Sequence, residues 1–339
     1  MRVLIIKTSS MGDIIHTLPA LTDAARALPE ITFDWVVEES FAEIPTWHTH
    51  VDRIIPVALR RWRKNLFCKK TYQEWQLFKE QLRAKSYDLI LDAQGLWKSA
   101  FVAFFAKGRR AGLDRRSARE SWAAFFYQNK HVVKQDQHAV MRARQLFSAA
   151  LGYALPDTVA DYGIRTDLFS HHQASSDAYL VFLHGTTWVS KCWPEEYWVG
   201  LAKLAEAQGL TIKMSGGNAE ELARAQRIAA ACAAVEVLPR LTLLQMANLL
   251  ANAKVVVAVD TGFAHLAAAL NKPTVSLYGP TNPLLTGTLG EHQRSLAAEF
   301  PCAPCLGRVC TYQEKLAVTP ACFTKLPPER VWREVLQLL

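Results

Sequence analysis

The chain has 339 residues, half of them apolar, about a fifth charged, with a formal net charge of +8 at pH 7. That composition excludes a disordered chain, and the length favours two domains over one core. No uninterrupted apolar run approaches the ~18 residues that cross a bilayer, and the first residues read as a strand rather than a signal peptide, so a cytosolic protein is expected.

The charge is uneven. Residues 1–168 hold 25 Lys and Arg against 18 Asp and Glu, and the rest of the chain is nearly neutral. The excess lies between Arg53 and Lys85, ten basic residues to two acids, and between Lys98 and Arg119, seven to one. A basic first half points to an anionic partner: nucleic acid, an acidic sugar or an anionic membrane surface. A merely solvated basic face is the plain alternative.

In chain order, Arg2–Ile6 carries an unbroken apolar run, the mark of a strand buried on both faces. T-S-S-M-G-D follows, with an apolar-periodic segment over 14–28. Asp13 thus lies at the carboxyl end of a strand, where open α/β sheets place their chemistry. Asp is also a preferred helix cap, and on this fragment alone capping is the leading reading. Strands follow at 32–37, 52–57 and 87–91, with helices at 71–85, 97–106 and 138–151. Gly152 to Asp177 breaks the pattern and reads as the connection. Strands at 179–183, 210–214, 235–238, 254–259 and 273–278 then alternate with helices at 194–207, 220–232, 243–251 and 263–270. The expected organisation is a domain over 1–160, a linker over 161–178, a second domain over 179–325, and a terminal helix at 326–339 packing back on the first domain. Each domain should be a parallel sheet with crossover helices, the two facing across a cleft.

Three strand ends of the second domain carry chemistry. V-V-V-A-V-D-T-G-F-A-H ends a strand in Asp260 and opens a helix at Thr261 and Gly262, where free amides favour an anion; His265 lies one turn on. H-G-T-T-W-V-S-K supplies Thr186, Thr187 and Lys191 to a phosphate, without P-loop spacing. M-S-G-G-N-A-E-E places Glu221 where the acid of nucleotide folds meets ribose hydroxyls. Together they point to a nucleotide diphosphate. No paired-acid metal motif sits at a strand end; Lys191 and the Thr261 helix start can neutralise the diphosphate themselves.

K-T-S-S-M-G-D-I-I-H-T-L-P-A-L, R-R-W-R-K at Arg60–Lys64, H-G-T-T…K-x-W-P-E-E-Y-W and V-D-T-G-x-x-H-L-A-A-A-L occur in order from Met1 to about Pro283. Through them the chain resembles the lipopolysaccharide heptosyltransferases of glycosyltransferase family 9, nearest the type I branch. The resemblance implies a GT-B fold. It implies inverting transfer of L-glycero-D-manno-heptose from ADP-heptose to the inner Kdo of Kdo-lipid A, with no cofactor required for the chemistry, by a peripheral enzyme on the cytoplasmic face of the inner membrane. Asp13 would be the general base. Thr186, Thr187 and Lys191 would hold the diphosphate, Glu221 the ribose, and Leu241 would lie by the adenine. Asp260, Thr261, Gly262 and His265 would line the sugar–phosphate end. Arg60, Arg61, Arg63, Lys64, Arg119 and Arg142 would meet the anionic acceptor. Nucleic acid is not an expected partner. The alternatives are a related heptosyltransferase with another core acceptor, or a non-catalytic nucleotide- or nucleic-acid-binding protein.

Four of the seven cysteines, Cys302, Cys305, Cys310 and Cys322, cluster near the end. They suit a structural zinc, reduced packing thiols or a disulfide, the last disfavoured in a cytosolic protein. Cys68, Cys192 and Cys232 read as packing residues, and His171 and His172 as solvated linker residues. Ser121–Tyr127 reads first as a core helix. Its alternative is an exposed patch that, with Arg109, Arg110, Arg115, Arg116 and Arg119, holds anionic lipid.

Overall fold

The computed structural model describes residues 1–65, 67–169, 178–314 and 316–339, in two compact units, Met1–Arg165 and Thr166–Leu339. His171 and His172 lie outside the described residues.

The first unit runs β1 (Arg2–Ile6), α1 (Met11–Ile15), α2 (Leu18–Ala27), β2 (Thr32–Glu38), α3 (Glu43–Thr46), β3 (Val51–Val57), α4 (Leu59–Trp62), α5 (Lys69–Arg83), β4 (Ser86–Asp92), α6 (Trp97–Phe105), β5 (Lys107–Leu113), β6 (Asn129–His131) and α7 (Ala139–Leu151). Its six strands are parallel, in the order β3-β2-β1-β4-β5-β6. β1 is central and fully buried beyond Arg2, as its apolar run requires. The helix expected over 14–28 is two, α1 and α2, with Pro19 in the first turn of the second, where its missing N–H costs no helical bond.

The second unit runs β7 (Tyr179–Leu183), α8 (Glu195–Glu206), β8 (Thr211–Ser215), α9 (Ala219–Ala231), β9 (Val235–Leu238), α10 (Leu243–Ala251), β10 (Val255–Val259), α11 (Gly262–Ala269), β11 (Thr274–Tyr278), α12 (Pro283–Thr286), β12 (Gln293–Ala297) and α13 (Pro328–Leu336). Its sheet, also parallel, has the order β9-β8-β7-β10-β11-β12. Each unit thus repeats the doubly wound order. The order reverses between β1 and β4 in one and between β7 and β10 in the other. Ligand crevices form at such reversals, outside the carboxyl ends of the strands.

Two expectations of domain organisation change. The described part of the 161–178 connection is packed: Gly163 lies against His48 and Thr22, Ile164 bridges to His48, and Phe169 is buried and accepts a hydrogen bond from Asn252 in the second unit. The terminal helix, expected on the first domain, inserts Val331, Trp332 and Val335 into the core of the second, alongside Trp198 and Leu201 of α8. An apolar stripe on a short helix packs on the nearest open core, and the Trp193 indole fixes the approach by donating to the Leu326 carbonyl at 3.0 Å.

The helix behind the β1 loop is pinned by a buried ion pair. Arg144 of α7 donates to Asp23 of α2 at 2.6 Å, both almost wholly buried, and also to the Thr158 and Pro156 carbonyls. Removing one partner strands a buried charge. Asp23→Ala is therefore expected to destabilise the first unit by about 3–5 kcal/mol, read as a fall in its denaturant midpoint.

Candidate active site

In the first unit, two loops leave the sheet at the reversal. After β1, the Ser10 N–H and hydroxyl both donate to one Asp13 oxygen, at 2.8 and 2.7 Å. Asp13 is therefore not the N-cap that the sequence suggests: Ser10 holds that position, and Asp13, the third residue of α1, reaches back to it and lies half-buried at the strand end. Burial pushes the Asp13 carboxyl up. The Lys7 charge, the two Ser10 donors and the Arg119 charge outweigh it and hold the group below the ordinary carboxylate value. Lys7 is itself pushed down by burial, against the pull of Asp13 and Asp92, and donates to the Ala93 carbonyl at 2.9 Å. Arg142, lowered by burial, adds its field to Lys7; its Nε is buried without a hydrogen-bond partner.

After β4, Asp92 accepts from the Gln94 and Gly95 amides, the Ser99 hydroxyl and the Tyr127 phenol, at 2.8, 3.2, 2.8 and 2.6 Å. Gln94, so fixed, clamps the β1 loop. Its Oε1 accepts from the Thr8 and Ser9 amides, and its Nε2 donates to the Ser9 carbonyl at 2.6 Å. Lys7, Asp92 and Gln94 were not among the expected site residues. The available signal was D-A-Q-G directly after a strand adjoining β1.

In the second unit the strand ends after β7, β10 and β11 meet. Lys191 pairs with Asp260 at 2.7 Å, Thr281 donates to the same oxygen at 2.7 Å, and Thr186 donates to the Asp260 carbonyl at 3.1 Å. His265 Nε2 lies 4.0 Å from the other Asp260 oxygen. Thr261 caps α11 and Gly262 begins it, so the first amides of that helix open beside Asp260. The Lys191 ammonium also sits 4.5 Å from the Trp188 ring centre. Glu221, near the start of α9, accepts from the Gly217 amide at 2.7 Å. A Cβ on Gly185 would meet its carboxylate at 2.6 Å, so the glycine is what lets Glu221 lie against the β7 loop. Thr187 is exposed on that loop, and Leu241 is half-buried in the turn before α10. Thr281 is the residue here that sequence patterning missed.

The basic residues of the first half separate into groups. Arg61 donates to Glu39 and Glu74, so its charge is engaged within the unit. Arg60 donates its amide to Glu38 at 3.0 Å and lays its guanidinium 5.2 Å from the Phe41 ring centre. Arg63 and Lys64 are exposed. Arg119 and Arg142 are the two that act on the Asp13–Lys7 pair.

Of the three readings of the cysteine cluster, the zinc site is not assembled: among the described residues no group of three or more His, Cys, Asp or Glu side chains is placed to hold a metal. Cys322 is buried in the second core with Phe323, Cys310 is half-buried, and Cys302 and Cys305 are exposed. All seven cysteines are unpaired in the structure.

The family model for glycosyltransferase family 9 (heptosyltransferase) matches residues 75–316. The chain belongs to that family. It is 54% identical to lipopolysaccharide heptosyltransferase 1 of Pseudomonas aeruginosa, an alignment covering 100% of this chain and 98% of that one. It superposes on a solved structure of the Escherichia coli heptosyltransferase WaaC with ADP at a TM-score of 0.90, with 45% identity and both chains covered completely. A second structure of that enzyme, with ADP-2-deoxy-2-fluoro heptose, gives 0.87 and 44%, again over both whole chains. The protein is thus a glycosyltransferase with the two-domain, GT-B-like α/β fold of the family.

Family membership gives the two loop clusters separate tests. Gln94→Ala removes the clamp on the Asp13 loop, and kcat is expected to fall about 100-fold with donor KM little changed, the outcome that a reacting group on this loop requires. Gly185→Ala drives Glu221 from its seat and is expected to raise donor KM about tenfold or more, with kcat largely kept, the outcome that donor contact through Glu221 requires. Steady-state kinetics in ADP release separates the two.

Proposed function

We propose that this chain transfers L-glycero-D-manno-heptose from ADP-heptose to the inner Kdo of Kdo-lipid A, with inversion, as a peripheral enzyme of the inner membrane's cytoplasmic face in lipopolysaccharide inner-core synthesis. The observation that carries the chemistry is the Asp13 carboxylate, held by Ser10 at the β1 strand end among Lys7, Arg119 and Arg142. Full-length similarity to a heptosyltransferase 1, and to WaaC bound to a fluorinated ADP-heptose, supports the donor and the acceptor class.

In this reading Asp13 takes the proton of the acceptor hydroxyl as that oxygen bonds to the heptose anomeric carbon. The anomeric C–O bond to the β-phosphate breaks, and its electron pair leaves with ADP. A carboxylate below its ordinary value is a weak base, so proton transfer is late and concerted with bond formation. Lys191, the α11 amides and the Thr186 and Thr187 hydroxyls receive the growing diphosphate charge, with no cofactor required. Asp260 and His265 face the sugar–phosphate end, Glu221 the ribose, and Leu241 the adenine. Arg119 and Arg142 meet the Kdo carboxylate, and Arg60, Arg63 and Lys64 extend the cationic surface for a phosphorylated lipid; Arg61 serves mainly to brace α4 against Glu39 and Glu74.

ADP release from ADP-heptose only when an acceptor with one or two Kdo units is added is the expected result. Release onto a core acceptor lacking the free inner Kdo position would assign the enzyme to another branch of the family. Asp13→Asn is expected to lower kcat about 10²–10⁴-fold while leaving donor affinity near wild type; near-wild-type turnover would remove the base assignment. Since Asp13 must be ionised to act, kcat/KM should hold as pH falls and drop only below the ordinary carboxylate value of about 4. Lys7→Met, which deletes the leading charge that lowers Asp13, should move that acid limb upward.

A further inference from the structure

The first unit carries an aromatic face that neither strand-end site uses. Helix α6 buries Ala100, Val102 and Ala103 and turns Trp97, Phe101 and Phe104 outward. The short helical turn Ser121–Phe126 buries Ala123 and Ala124 and exposes Trp122 and Phe125, which are 74% and 59% accessible. The expected core helix is therefore a shallow turn that hides its alanines and presents its rings. Trp97, Trp122, Phe125, Phe126 and Glu120 line an open cavity of about 550 Å³.

This display is held from beneath. The Tyr127 phenol donates to buried Asp92 at 2.6 Å, and Gly112 lets the ring cross β5, since a Cβ there would meet it at 2.4 Å. The rings are rimmed with cations: the Arg110 guanidinium lies 5.5 Å from the Phe104 ring centre and that of Arg115 5.2 Å from Phe125, with Lys107, Arg109 and Arg116 exposed nearby in sequence. The acid of the rim, Glu120, is engaged by the Trp97 amide at 2.7 Å.

Contiguous exposed rings of this extent mark a surface that something covers. The flanking charge selects an anionic occupant. Guanidinium groups already lie over the rings of Phe104 and Phe125, which disfavours base stacking on them. Indole and phenyl groups beside Arg and Lys are the side chains that settle at a headgroup boundary. We propose that the face formed by α6 and the Ser121–Phe126 turn docks this protein on a bilayer carrying anionic lipid, with Trp122 and Phe125 entering the headgroup layer and Arg109, Arg110 and Arg115 meeting lipid phosphates. This deepens the proposed peripheral reading by giving it a surface.

Flotation of the full chain with vesicles tests it. Recovery is expected with phosphatidylcholine vesicles containing about one third phosphatidylglycerol, and several-fold less with phosphatidylcholine alone or at high salt. Trp122→Ser with Phe125→Ser, and separately Arg109→Glu with Arg115→Glu, should each lower partition about tenfold or more. Both pairs are exposed, so Tm and turnover on acceptor in detergent micelles should match wild type. Equal recovery of wild type with anionic and neutral vesicles would overturn the proposal, as would wild-type flotation of both variants. So would conversion of a dimer to a monomer by Trp122→Ser with Phe125→Ser while flotation persists, which would make the face an interface between copies. Flotation uses no acceptor, so its outcome and that of the ADP-release experiment are independent.

Discussion

The first unit depends on one buried carboxylate. Asp92 ends β4 at the reversal of strand order and gathers four donors, two backbone and two side-chain. Burial pushes it up, and those donors counter the penalty. Hydrogen bonds to a charged group contribute about 1.5–3 kcal/mol each, enough to make the arrangement rigid rather than merely tolerated. Through Gln94 it sets the loop that carries Asp13. Through Tyr127 it sets the turn that carries Trp122 and Phe125. One buried carboxylate thus positions both the Asp13 loop and an exposed aromatic turn.

The two units repeat one sheet order and differ in what their strand ends offer. At the first reversal a carboxylate is surrounded by cations, and at the second a cation, hydroxyls and helix amides gather around Asp260. The same topology therefore presents an acid held below its ordinary value in one unit and a lysine–carboxylate pair flanked by hydroxyls and helix amides in the other. Chemistry follows the few residues after each strand, as expected when function is grafted on a common fold.

Legibility tracked burial. β1, β4, β7 and β10 are central strands with apolar runs, and patterning located each within a residue or two, with Asp13, Thr186 and Asp260 at their ends. β5, β6 and β12 were missed. K-G-R-R-A-G-L, N-K-H and Q-R-S-L-A lie toward or at sheet edges, where one side meets solvent and the apolar signature is lost. Composition identified the basic half but not how it divides: Arg61 is consumed by Glu39 and Glu74, partners 22 and 13 positions away. The cysteine spacing allowed a metal site as one of three readings, and among the described residues none is assembled, with Cys322 buried, Cys310 half-buried, and Cys302 and Cys305 exposed. Gln94 gave no signal by type, since its importance lies in contacts 85 and 86 residues back.

The pairing of Lys191 with Asp260 has a consequence for the end of a catalytic cycle. In the proposed donor site an arriving diphosphate exchanges places with Asp260 as the partner of that ammonium, while Thr281 keeps a bond to the displaced carboxylate. When ADP departs, the lysine has a counter-ion waiting within its own loop cluster. Product escape then requires no bare cation in a poorly hydrated pocket, and the tightness needed to stabilise a leaving group need not become a trap for the group once it has left.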